Sequence, residues 1–67
     1  MAHQPAHRIC LTSWELLQVF HGSLIPRQGE LLFIEKDGRE SKYRVERVIY
    51  KLTSNDELMA TVFVEPA

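Results

Sequence analysis

The chain has one cysteine, three glycines and three prolines, and its charges nearly cancel: 8 Lys+Arg against 9 Asp+Glu, a formal −1. A lone Cys10 cannot form an intrachain disulfide. That excludes a disulfide-stapled secreted scaffold and points to a reducing, cytoplasmic setting. No apolar run nears the roughly 18–20 residues that a membrane-spanning helix needs. The opening Met1-Ala2-His3-Gln4-Pro5-Ala6-His7 lacks the basic start and apolar stretch of a secretory signal, so no membrane partner is expected. The balanced charge argues against a strong non-specific nucleic-acid binder. The glycines stand apart at 22, 29 and 38, so there is no glycine-rich phosphate loop.

What is there is the composition of one folded domain: 67 residues, 45% hydrophobic and 25% charged. Residues 1–7 read as a mobile leader and 8–67 as a single small domain without linker or repeat. Size is the first physical problem. A chain this short buries only about 60% of its unfolded surface, and one core rarely nets more than about 3–5 kcal/mol. Disulfides, a metal or self-association usually supply the rest, and the first is excluded.

The second half is the clearer one. Leu31-Leu32-Phe33-Ile34-Glu35 is an apolar run of strand length, ended by Lys36-Asp37-Gly38. Asp-Gly between two strand-like runs predicts a tight hairpin, because Gly accepts positive φ without strain. Residues 42–52 are rich in β-branched and aromatic side chains. Tyr43 and Val45 share one parity, whereas Val48, Tyr50 and Leu52 share the other. A strand that keeps one face inward must take an extra residue between them, which predicts a bulge or sharp bend near Glu46-Arg47. Thr53-Ser54-Asn55-Asp56 is a polar turn, and Leu58–Glu65 a last strand stopped by Pro66. These three strands form an antiparallel meander.

The first half leaves two readings open. Arg8–Thr12 is strand-like. Thr12-Ser13-Trp14-Glu15 then matches a helix capping box with Gly22 as a stop, giving a helix over 13–21. Against it, the apolar residues at 14, 16, 17, 19 and 20 lack a 3.6 period, which favours a strand over Glu15–His21 carried on to Leu24-Ile25.

Ile25-Pro26-Arg27-Gln28-Gly29-Glu30, Asp37-Gly38, Tyr43–Val48 and Val62–Pro66 together resemble small uncharacterised β-barrel proteins of SH3-like or split-barrel type, found in bacteria, phages and mobile gene cassettes. The resemblance covers about residues 24–67 and is carried by turn and core signals. It implies five strands, with the segment before Pro26 extended, and transfers no functional residue.

Chemistry is thinly represented. His7-x-x-Cys10, with His21 as a third group, has metal-ligand spacing but lacks the second close pair of a structural zinc site, so no metal or other cofactor is expected. Cys10, His21 and Glu15 form a nucleophile triad only if the fold assembles them. The carboxylates Glu30, Glu35, Glu40 and Glu46 are scattered, and no enzymatic role is expected. Residues 39–51 hold Arg39, Lys42, Arg44, Arg47 and Lys51 against Glu40 and Glu46, while Asp56, Glu57 and Glu65 follow without a base. Tyr43 and Tyr50 interleave the basic set, an arrangement that small barrels use on nucleic acid, although parity turns both inward.

The remaining signal is an excess of apolar side chains. Both parities of 31–34 are apolar, and the last strand carries Ala60, Val62 and Val64 on one face and Met59 and Phe63 on the other. A small barrel has one interior, so its outer face must be covered. The cover is either the N-terminal segment, with Trp14, Leu17 and Phe20, or another subunit. The sequence is therefore read as a mainly β, strongly bent antiparallel sheet or five-stranded barrel, with the short helix still open. Its expected function is a non-enzymatic interaction module that binds itself or another protein through Trp14, Phe33, Met59 and Phe63. The alternative is a nucleic-acid-binding barrel using Arg39, Lys42, Arg44, Arg47 and Lys51.

Overall fold

The computed structural model describes residues 6–67, and these fold into five strands: β1 Ala6–Leu11, β2 Leu16–His21, β3 Leu31–Lys36, β4 Arg39–Leu52 and β5 Leu58–Pro66. Strands make up 66% of the described residues, among which there is no helix. The expected leader falls outside the described residues as far as position 5. Its last two residues belong to the fold, since β1 starts at Ala6 and His7 is buried.

The sheet order is β2-β1-β5-β4-β3. The meander β3-β4-β5 is antiparallel, as is the β1–β2 pair. One junction departs from an all-antiparallel sheet: β1 pairs with β5 in parallel, Ile9 beside Val62 and Leu11 beside Val64. The sheet curls through 235° and stops, leaving a half-barrel with free edges at β2 and β3.

The turns follow from residue type. Asp37 and Gly38 both take positive φ, 54° and 77°, and join β3 to β4 as a two-residue hairpin. The β4–β5 register slips between Val45 and Arg47, which makes Glu46 the extra residue of a bulge. That slip lets Tyr43, Val45, Val48, Tyr50 and Leu52 share a face despite their parity. It also bends the strand. Fourteen extended residues would span roughly 43 Å at about 3.3 Å per step, whereas the longest dimension of the molecule is 35 Å.

Ile9, Val45, Val62 and Val64 form the core on the concave face, with Leu11, Leu17, Phe20, Ile25, Leu32, Ile34, Tyr43 and Val48 packed around them. His7 joins this interior. Its Nδ1 accepts the Ala60 N–H at 3.0 Å, so Nε2 carries the hydrogen and donates to the Gly22 carbonyl at 2.9 Å. The imidazole thereby ties β1 to β5 and to the chain leaving β2. Beyond β5, Ala67 N–H donates to Lys42 O, so Pro66 ends the strand where no partner awaits its missing N–H.

The helix reading of 13–21 is corrected by the turn that replaces it. Trp14 N–H donates to Leu11 O at 2.8 Å and Leu11 N–H to Glu15 O at 2.9 Å, closing a three-residue hairpin loop before β2. Ser and Thr favour hairpin turns as readily as helix caps. Here the free hydrophobic surface of β1 and β5 selects the strand.

Candidate interaction surface

Two hairpin loops of this chain share one geometry. Thr53 N–H donates to Glu57 O and Asp56 N–H to Thr53 O, repeating the pattern of Leu11, Trp14 and Glu15. In each the third loop residue is left-handed: Asp56 at φ 61° and Trp14 at φ 77°. Aspartate tolerates that conformation, whereas a bulky side chain pays about 1–2 kcal/mol. Tryptophan occupies the position for its side chain. Its ring meets Phe63 edge-on at 4.7 Å between centroids, while the Arg47 guanidinium lies 4.8 Å over the same Phe63 ring.

This arrangement decides the fate of the expected interface. Phe63 points from the convex face, opposite to Val62 and Val64, yet it is fully buried beneath Trp14 and Arg47. The chain therefore covers this residue itself, and Phe63 is not an open contact. Leu17 and Phe20, grouped with Trp14 as a possible outer cover, instead pack on the concave core. Trp14 remains 64% exposed. Phe33 is exposed on the β3 edge beside Lys42, and Met59 is half-buried beside Lys51. The four expected residues do not form one patch.

The apolar surface gathers elsewhere. Beyond the ends of β1 and β3, no other described strand flanks the β4–β5 hairpin, with Tyr50 beside Ala60, Lys51 beside Met59 and Leu52 beside Leu58. Tyr50, Leu52 and Leu58 are 52%, 67% and 49% exposed on the concave side, whereas Ile49, 42% exposed, stands between Arg47 and Lys51 on the convex face. Sequence reasoning treated Tyr50 and Leu52 as core from parity. Parity gives the face of a residue but not whether another strand reaches far enough to cover it.

The bulge also orders the basic residues. Lys42 and Arg44 precede it, and Arg47 and Lys51 follow it, so the slip brings all four to the convex face; Arg8 adds to them from β1. Arg39 sits at the hairpin turn. Tyr43 packs on the core and Tyr50 faces the concave side, so neither stands among these cations. Across the ladder, Arg44 faces Glu65. A hydrogen bond with Glu46, then repulsion from its charge, holds the Glu65 carboxyl above the usual glutamate range, with Arg44 opposing. That carboxyl pair was not seen in the sequence, because only the bulge sets Glu46 beside Glu65.

Metal and nucleophile groupings do not assemble. His7 and Cys10 are an odd number of strand positions apart and leave β1 on opposite faces. Cys10 pairs with Leu16 while His21 pairs with Ala6, about four steps or roughly 13 Å along the ladder. Among the described residues no cluster of three or more His, Cys, Asp or Glu side chains is placed to hold a metal, and no helix is long and apolar enough to cross a membrane.

Comparison of the chain with protein-family models, curated proteins and solved structures finds no match. The fold alone defines the class: a small β half-barrel with two unpaired edges and a protruding hairpin.

Proposed function

We propose that this protein is a non-enzymatic interaction module that pairs with a second copy of itself through the free end of the β4–β5 hairpin. The observation that carries the reading is the set of three large apolar side chains, Tyr50, Leu52 and Leu58, left open at neighbouring positions on one face of the ladder. Half-exposed side chains of this size present on the order of 300 Å² per copy. That is about two thirds of the apolar part of a standard interface of about 800 Å² per partner. Single exposed apolar residues are ordinary, but a contiguous group is not. A core of seven buried apolar residues also leaves stability to be gained from association. The resemblance to SH3-like and split-barrel proteins and the cytoplasmic setting belong to this reading.

Sedimentation velocity on the parent, Leu52→Asp and Leu58→Asp tests it. The parent sediments as a dimer and both variants as folded 7.8 kDa monomers. Retention of the parent's mass by both variants removes the hairpin as the interface.

One observation favours a second reading, a single-stranded nucleic-acid binder: the bulge aligns Lys42, Arg44, Arg47 and Lys51 on one face, with Trp14 exposed beside Arg47 on the Phe63 ring. That reading expects salt-sensitive binding to a labelled oligonucleotide, weakened by Lys42→Glu. Absence of binding at low salt ends it.

A further inference from the structure

The half-barrel stops short of closure, and the width of its gap is informative. Four inter-strand steps share the 235° of curl, roughly 60° each, so the open arc is about two steps wide. Two steps are the space of one strand. We infer that the gap between β2 and β3 is a binding groove for a single extended peptide segment of another polypeptide, which enters as a sixth strand and closes the barrel. This inference does not depend on the hairpin reading.

The groove has the chemistry such a segment needs. A cleft of about 170 Å³ lies between the two edges, lined by Ile9, Gln18 and Phe20 on one side and by Leu32, Phe33, Ile34 and Glu35 on the other. Its floor is the rim of the core, since Ile9, Phe20, Leu32 and Ile34 all belong to that packing. Each wall is a free strand edge with a row of backbone N–H and C=O groups. Only an extended peptide offers both donors and acceptors on both of its sides. Edges that must stay unpaired normally carry charge or proline; residues 16–21 have neither, and on β3 charge enters only at its last two residues, Glu35 and Lys36.

The arc also selects among occupants. A hairpin of a second copy brings two strands and needs three steps, more than the gap provides. Two half-barrels joined edge to edge would each have to open from 235° to about half a circle. A single strand requires no change of curvature. Because β2 and β3 run in opposite directions, the segment lies antiparallel to one edge and parallel to the other. Its side chains at every second position face Ile9, Phe20, Leu32 and Ile34, and its length matches the six residues of each edge.

The test titrates the full, nitrogen-15-labelled chain with capped eight-residue peptides that alternate threonine with valine, isoleucine, leucine or phenylalanine. The expected result is saturable one-to-one binding by at least one peptide. It slows exchange of gap-facing amides on both β2 and β3 at least tenfold and leaves amides 49–52 unchanged. Gln18→Pro and Val19→Pro alter consecutive N–H groups that point to opposite sides of β2. The variant that keeps its β1 ladder loses at least tenfold in affinity, and Phe33→Lys, on an exposed side chain, provides a second variant of the groove wall. The inference is overturned if no peptide binds at 1 mM, a limit weaker than typical specific peptide recognition, or if only one edge is protected. Protection of both edges that grows with protein concentration in the absence of peptide gives the gap to a second copy and overturns it as well.

Discussion

Trp14 is the position where backbone and side chain pull in opposite directions, and the structure sets the size of each. The ring is 64% exposed, so about a third of it is shielded. For a side chain of about 250 Å² that is roughly 90 Å² removed from water, or about 2 kcal/mol at 25 cal/mol per Å². The edge-on contact with Phe63 contributes about 0.5–1.5 kcal/mol more. Against this stands about 1 kcal/mol for a non-glycine residue at φ 77°. Trp14→Ala loses the cover and keeps the backbone cost, giving a destabilisation of about 2–3 kcal/mol. Trp14→Gly loses the cover but relaxes the backbone, giving about 1–2 kcal/mol. Urea unfolding followed by far-ultraviolet circular dichroism measures both, at one protein concentration so that association contributes equally. Equal stability of the two variants would refute the left-handed argument. A Trp14→Gly protein more stable than the parent would refute the claim that the ring shelters Phe63.

Three other expectations follow from particular contacts. His7→Phe keeps a ring in the interior but orphans the buried Ala60 N–H, and is expected to cost about 1–3 kcal/mol in urea unfolding; an unchanged midpoint contradicts the tie between β1 and β5. The raised Glu65 carboxyl binds its proton more tightly in the folded chain than in the unfolded one. Stability therefore falls as pH rises from the ordinary value of 4.5 through the raised folded value, and Glu46→Gln flattens that fall. Carboxyl titration by nuclear magnetic resonance, with Glu65 unmoved in the variant, would reject this cause. Deleting Glu46 removes the extra residue of the bulge and forces either residues 47–52 or 39–45 to reverse faces. Loss of the folded circular dichroism spectrum is expected, and a stable deletion variant would show the bulge to be dispensable.

Much of the fold was legible where local chemistry has one solution. Asp37-Gly38 admits the tight hairpin and little else, and the parity break around Glu46-Arg47 required an extra residue, which the register supplies. Thr12-Ser13-Trp14-Glu15 was ambiguous because hydroxyl side chains cap helices and build turns by the same hydrogen bonds. Its counterpart Thr53–Glu57 was readable because Asn55 and Asp56 are ordinary turn residues, whereas Trp14 is not. Residues whose role lies in distant partners were the least legible. His7 was placed in a leader because its acceptor role depends on Ala60, 53 positions away. Phe63 was assigned to a subunit contact because the ring that covers it comes from the first hairpin. The exposed hairpin end escaped notice for a related reason, since the β4–β5 pair outruns β3 and β1 and no periodicity records the length of a neighbouring strand.

The central claim is that the open hairpin end joins two copies. Its most direct test is the mass of the intact protein by light scattering during size exclusion, at low and high salt and across a tenfold range of concentration. The account predicts about twice 7.8 kDa at both salts, because an apolar contact is not weakened by screening. A mass of 7.8 kDa at every concentration and both salts would contradict it.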